Sequence, residues 1–164
     1  MRTVVIDTLV PGADADAVFA RVADFESYLH HAPAVQEVTV THRPDGTLVS
    51  DWAVTFRRGV LRWTELDRID PTTRRIHFDQ LDGDFDIFTG EWWVDPVGED
   101  VAVRFVGRFD LGMPSLASII DPIAERAMVD TMHSILRGLL GDGILFVAEP
   151  TGDPAPTAST AVRG

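Results

Sequence analysis

The sequence predicts an α+β fold: a seven-stranded antiparallel sheet curved around one long C-terminal helix, with two short helices after the first strand. Three observations carry this expectation. Apolar and polar residues alternate over Arg2–Val10 and again from Val35 to Asp110, in runs separated by turn residues, which is the period of half-buried strands. Two short stretches with helical spacing lie between these regions. From Met113 to Gly141 the apolar residues recur at the spacing of a long amphipathic helix.

In chain order, Arg2–Val10 forms the first strand and Pro11-Gly12 ends it. Asp14 or Asp16 can cap a short helix through about Ala23, with Val18, Phe19 and Val22 on one face. A second short helix runs from about Phe25 to His31 and stops ahead of Pro33, because the residue before a proline avoids helical geometry. The pair has the look of a lid or end cap. Six strands follow near Val35–His42, Thr47–Phe56, Val60–Asp70, Arg74–Asp82, Phe85–Asp95 and Val101–Asp110, and the turns between them are short enough for antiparallel hairpins.

The long helix has a start signal in Pro114-Ser115, and Gly141 stands where a left-handed cap would end it. Leu116, Ile120, Ile123, Ala124, Ala127, Thr131, Ile135 and Gly138 are expected on its sheet-facing side. Met132 and Leu136 are expected outward, where with Trp93 they could support a homodimer contact. Residues 1–147 read as one domain and 148–164, rich in Pro, Gly, Ala, Ser and Thr, as a disordered tail.

Composition narrows the function classes. Fourteen basic against 26 acidic residues give a net charge of −12, which disfavours nucleic acid and anionic membrane surfaces as partners. Neither a membrane-length apolar run nor a secretory leader is apparent, so a cytoplasmic location is expected. Cysteine is absent, which excludes disulfides, thiolate metal sites and cysteine nucleophiles; lysine is absent too, which excludes a lysine Schiff base. No histidine pattern has a metal-ligand spacing, so neither a metal nor a cofactor is expected.

Strand alternation assigns the inner face. Val103, Phe105, Gly107 and Phe109 point inward with Phe88, Gly90, Trp92 and Val94, while Arg104, Arg108, Glu91 and Trp93 point out. Inward Gly90 and Gly107 either free space for a ligand or relieve strain at a bend. A two-residue Arg58-Gly59 turn would set Val54 opposite Trp63, Trp52 opposite Glu65 and Ser50 opposite Asp67.

That register sends Glu65 and Asp67 to the same inner face as Trp52 and Trp63. Two carboxyls in an apolar cleft raise each other's pKa, which is how a general acid or base near neutrality is made; a rim position or an arginine partner would remove that effect. His31, at the end of the second short helix beside His30, is a candidate proton shuttle at the cavity mouth, or else a solvent-facing helix end. Trp52, Trp63, Phe88, Trp92 and Phe105 are expected to wall a cavity, with Gln80 and Thr131 as polar groups able to orient a ligand; the aromatic stripe also fits a plain core.

Several motifs resemble one family. Asp70-Pro71 followed by Arg75-Ile76, Leu81-Asp82-Gly83-Asp84-Phe85, Gly90-Glu91-Trp92, Phe105 to Phe109 and Ala127-Met128-Val129 resemble the START-like helix-grip (SRPBCC) superfamily. Within it the chain is most like the polyketide cyclase/dehydrase and coenzyme-Q-binding branch, over nearly the whole chain to about Gly141.

The resemblance implies an elongated apolar cavity between sheet and terminal helix, without metal, holding a polyketide, quinone or lipid. It also implies a polyketide cyclase/dehydrase-like role in secondary metabolism or antibiotic biosynthesis, with Glu65, Asp67 and His31 as the catalytic candidates. The alternative is a non-catalytic carrier or chaperone for such a molecule, and a third class is an interaction protein with a macromolecular partner. Aromatase/cyclases of the superfamily place a carbonyl-binding arginine about three residues before the Asp-Pro. Here that position is Asp67, and Arg68 faces outward by alternation.

Overall fold

The computed structural model describes residues 1–57, 59–112 and 117–147. The helix start at Pro114-Ser115, Leu116, the side chain of Ile120, Arg58 and the expected tail lie outside the described residues.

Strand β1 (Arg2–Val10) leads into helix α1 (Ala15–Ala23), whose first turn is capped by Asp14 accepting from the Ala17 amide at 3.0 Å. A single 3₁₀ turn, Phe25–Ser27, passes directly into helix α2 (Tyr28–His31). Strands β2 (Val35–His42), β3 (Leu48–Phe56), β4 (Gly59–Asp70), β5 (Arg75–Gly83), β6 (Ile87–Val97) and β7 (Asp100–Asp110) follow as an antiparallel meander. Helix α3 (Ala117–Leu140) comes next, and a two-residue strand β8 (Leu145–Phe146) ends the described chain.

The sheet order is β2-β3-β4-β5-β6-β7-β1-β8, so the first strand closes against the last strand of the meander. This is the helix-grip fold expected from the sequence. β8 is an addition that two residues could not signal by periodicity; it pairs with Thr8 and Leu9 of β1.

One register differs from expectation. β3 and β4 pair Ser50 with Glu65, Trp52 with Trp63 and Val54 with Leu61, because Phe56 pairs with Gly59, which an Arg58-Gly59 turn would leave unpaired. Arg57 takes a φ of 58°, which supplies the left-handed step of a tight hairpin. The shift amounts to two residues, and side chains alternate with a period of two, so every side chain keeps its face.

The inner face otherwise follows the alternation. Val103, Phe105 and Phe109 on β7 are buried, as are Phe88, Trp92 and Val94 on β6. The inward glycines turn out to make room for rings rather than for a ligand. A Cβ at Gly90 would stand 2.0 Å from the Val106 carbonyl oxygen and 2.6 Å from the Phe78 ring, and one at Gly107 would stand 2.9 Å from the Phe105 ring. Phe78 and Phe105 occupy that space and stack on each other with centroids 5.9 Å apart.

Helix α3 is gripped over more of its circumference than a single apolar stripe implies. Ala124, Ala127, Met128, Ile135, Leu136 and Leu139 are buried, whereas Ile123, expected inside, is 45% exposed. Leu136, expected outward as a dimer contact, is 1% exposed and belongs to the core. The reason is that sheet and helical cap cover different sides of α3, so residues on both flanks of the stripe are enclosed. Gly138, expected on the sheet-facing side, meets α2 instead: a Cβ there would lie 1.9 Å from the His31 carbonyl oxygen.

Candidate functional site

Between the sheet, α3 and the helical cap lies a cavity of about 80 Å³. Each surrounding element contributes. β3 supplies Trp52, Val54 and Phe56, β4 supplies Leu61, Trp63 and Glu65, and β5 to β7 supply Phe78, Phe88, Trp92 and Phe105. α3 contributes Met128, Thr131, Met132 and Ile135, and the cap contributes Phe25 and Tyr28.

The aromatic rings form one continuous cluster. Trp52 and Trp63 lie nearly parallel, at 9° with centroids 6.0 Å apart, and Phe25 and Tyr28 meet Trp52 edge-on at 5.5 and 5.3 Å. Phe85 and Phe88 stack at 4.4 Å on the far side of Trp63. Flat walls of this kind suit a flat conjugated molecule.

Among the described residues Glu65 is the only carboxyl on the cavity wall, and no arginine or histidine joins the lining. Trp63 Nε1 donates to Glu65 Oε1 at 2.7 Å. Burial, reinforced by Asp67, pushes the Glu65 pKa well above the usual carboxylate range, even though Trp63 and Ser50 pull the other way. Asp67 has no exposed surface and is not part of the cavity lining; it stands two residues on along β4, behind Glu65. Ser50 Oγ donates to Asp67 Oδ2 at 2.5 Å, and Trp52 Nε1 donates to Ser50 Oγ at 2.8 Å. Burial also raises the Asp67 pKa, while hydrogen bonds from Glu65 and Ser50 oppose that rise.

The expected pair is therefore brought together, but at two depths. Alternation gives the face of a residue and not its distance from the cavity. Gln80, directly across from Glu65 on β5, does not reach the lining: its Nε2 donates to the Phe85 carbonyl at 3.0 Å, which ties down the connection between β5 and β6. The side chain of His31 is exposed and is not among the lining residues. Trp52, Trp63, Phe88, Trp92, Phe105 and Thr131 all lie where the sequence expected them, on the wall. Met132, expected outward, lines the cavity as well.

Tyr28 and Phe25 carry no signal of a wall position in the sequence, because a four-residue helix and a single 3₁₀ turn show no usable period. The Tyr28 hydroxyl donates to the Val22 carbonyl at 2.6 Å, and its phenol is held protonated by burial and by the nearby Glu65 and Asp67. Phe85, expected to open the strand Phe85–Asp95, lies instead in the connection before β6, where it is buried and lines the cavity.

Among the described residues no group of three His, Asp or Glu side chains could hold a metal ion, and no helix is long and apolar enough to cross a membrane.

The family model for polyketide cyclase/dehydrase and lipid transport matches residues 11–135. No curated protein matches the chain. Among solved structures, the protein TTHA0849 of Thermus thermophilus is similar at 25% identity and a TM-score of 0.77, covering 84% of this chain and 94% of that one. The ZhuI aromatase/cyclase of Streptomyces sp. R1128 is similar at 21% identity and a TM-score of 0.69, with 82% and 91% covered. A START superfamily protein of Mycobacterium smegmatis aligns at 15% identity and a TM-score of 0.69, over 85% and 95% of the two chains.

Proposed function

Because the chain belongs to the polyketide cyclase/dehydrase and lipid transport family, we propose that it binds a flat polyketide in the aromatic cavity and promotes its cyclisation or dehydration, with Glu65 as general acid and base. The observation that carries this reading is a single carboxyl on an otherwise apolar wall, its pKa pushed well above the usual carboxylate range by burial. A carboxyl that burial keeps protonated to higher pH can pass its proton to a ligand that reaches it. In a dehydration, Glu65 gives its proton to the departing hydroxyl, which leaves as water. The resulting carboxylate takes the proton from the adjacent carbon as the double bond forms, and the acid is restored. Thr131 stands ready to orient a carbonyl. His31 has no part in this scheme.

Glu65→Gln keeps the size and hydrogen-bonding capacity of the side chain and removes the transferable proton. It is expected to lower turnover of an accepted polyketide by about 100-fold or more while binding changes less than about threefold. Unchanged turnover would overturn the acid–base reading.

One observation favours the second reading, a carrier of a polyketide, quinone or lipid. The described cavity lining contains no cationic side chain to hold the carbonyls of a poly-β-ketone chain. Incubation with candidate polyketides followed by mass spectrometry separates the two: a carrier returns the ligand unchanged.

A further inference from the structure

The charge behind the cavity wall bears on which molecules the cavity admits. Glu65 and Asp67 are 5% and 0% exposed, and no cationic side chain is among the described lining residues. Neither carboxyl forms an ion pair among the described residues. They are served instead by an ordered set of donors. The Trp52 indole N–H occupies an acceptor position of Ser50 Oγ, and the hydroxyl donates to Asp67 Oδ2 at 2.5 Å, with Glu65 also in hydrogen-bonding reach of Ser50. A hydroxyl committed as a donor suits an ionised carboxylate, which can only accept.

Asp67 Oδ1 is buried and has no N–H or O–H donor among the described residues. The neighbouring carboxyl of Glu65, which hydrogen-bonds Asp67, can satisfy it by donating a proton. Glu65 Oε1 already accepts from Trp63, which leaves the other oxygen to carry that proton. The donors thus distribute one proton and one charge over the pair, with the proton on Glu65 and the charge on Asp67.

We propose that Asp67 is a specificity-determining residue: its fixed negative charge, set directly behind the cavity wall, makes the cavity select neutral carbonyl compounds such as esters, amides and ketones and reject carboxylates. This rests on the reading of the cavity as the ligand site and does not require turnover. A carboxylate entering the cavity would face a like charge across low-dielectric surroundings with no cation to offset it. The chain's net charge of −12 acts in the same direction at longer range.

The test compares 2-naphthamide with 2-naphthoate, matched in shape and differing in charge, by quenching of tryptophan fluorescence at pH 7.5. In the unmodified protein the amide is expected to bind at least about tenfold more tightly. Asp67→Asn is expected to shrink that gap to about threefold or less, through a gain in naphthoate binding. Glu65→Gln is expected to preserve the gap, since the glutamine amide can donate to an Asp67 that stays charged. Should the asparagine variant not fold, Ser50→Ala gives a second route: without its hydroxyl donor Asp67 takes up a proton, and the gap narrows.

Equal binding of the two probes would overturn the proposal. So would a gap that survives both Asp67→Asn and Ser50→Ala, or one that is lost in Glu65→Gln alone. Binding of neither probe would overturn it together with the ligand-site reading. A gap that behaves as expected, combined with unchanged turnover in Glu65→Gln, would remove only the acid–base reading.

Discussion

The two faces of the same sheet solve the problem of charge in opposite ways. On the outer face acids stand beside bases: Arg104 grips Asp7 at 2.7 and 3.0 Å, Arg108 grips Glu91 at 2.8 and 3.2 Å, and Arg75 holds Asp95 while lying 5.0 Å from the centre of the Trp93 ring. On the inner face, among the described residues, Glu65 and Asp67 have no base and are served by the donors of Ser50 and Trp63. Solvent makes the outer pairs cheap to build and of small consequence. Burial makes the inner pair costly, and that cost is what pushes the Glu65 pKa well above the usual carboxylate range.

The contrast breaks most sharply where volume is added to the inner face. Gly90→Ala would drive a Cβ into the Val106 carbonyl and the Phe78 ring, and neither can yield without moving β7 or the aromatic cluster. A loss of about 3 kcal/mol is expected in urea unfolding. A loss below about 1 kcal/mol would mean that the inner face is loosely packed after all.

The charge contrast is sharpened by pH. In the unfolded chain Glu65 titrates near 4.5, and in the folded protein burial holds its proton to higher pH. Between those two values the native state binds more protons than the unfolded state, so stability falls as pH rises. The expected slope is about 1.4 kcal/mol per pH unit for this one group, beginning near pH 4.5 and ending where the folded carboxyl ionises. Glu65→Gln should flatten that part of the curve and stabilise the protein at about pH 8; an unchanged slope would place the proton elsewhere. The smallest effect belongs to the outer face. Arg108→Ala should cost no more than about 1 kcal/mol and less at high salt, measured by the same unfolding assay.

Legibility in the sequence follows the same division. The inner face can be read because alternation survives an error of two residues: the β3–β4 register differs by two from the expected one, yet Ser50, Trp52, Trp63, Glu65 and Asp67 still fall together. Depth cannot be read. Glu65 and Asp67 share a parity, and only the folded sheet shows that one meets the cavity and the other supports it from behind. The face of α3 is half legible, because a helix enclosed from two sides buries flanking residues such as Leu136 that a single stripe leaves out. Tyr28 belongs to a one-turn helix, where no period exists to be read, and Phe85 to a loop in place of the expected strand start.

The hydrogen bond from Tyr28 to Val22 also bears on timing. It ties α2 back to the last turn of α1, and Ser27 Oγ adds a second tie to the Asp24 carbonyl at 2.7 Å, so the two helices form one body. Phe25 and Tyr28 on that body are cavity wall, and Gly138 seats its far end against α3. Room gained on this side of the cavity would therefore come from moving the cap as a unit rather than from turning one side chain. Such an opening would run at the pace of a collective hinge motion, on the order of microseconds to milliseconds, far slower than the rotation of an exposed side chain.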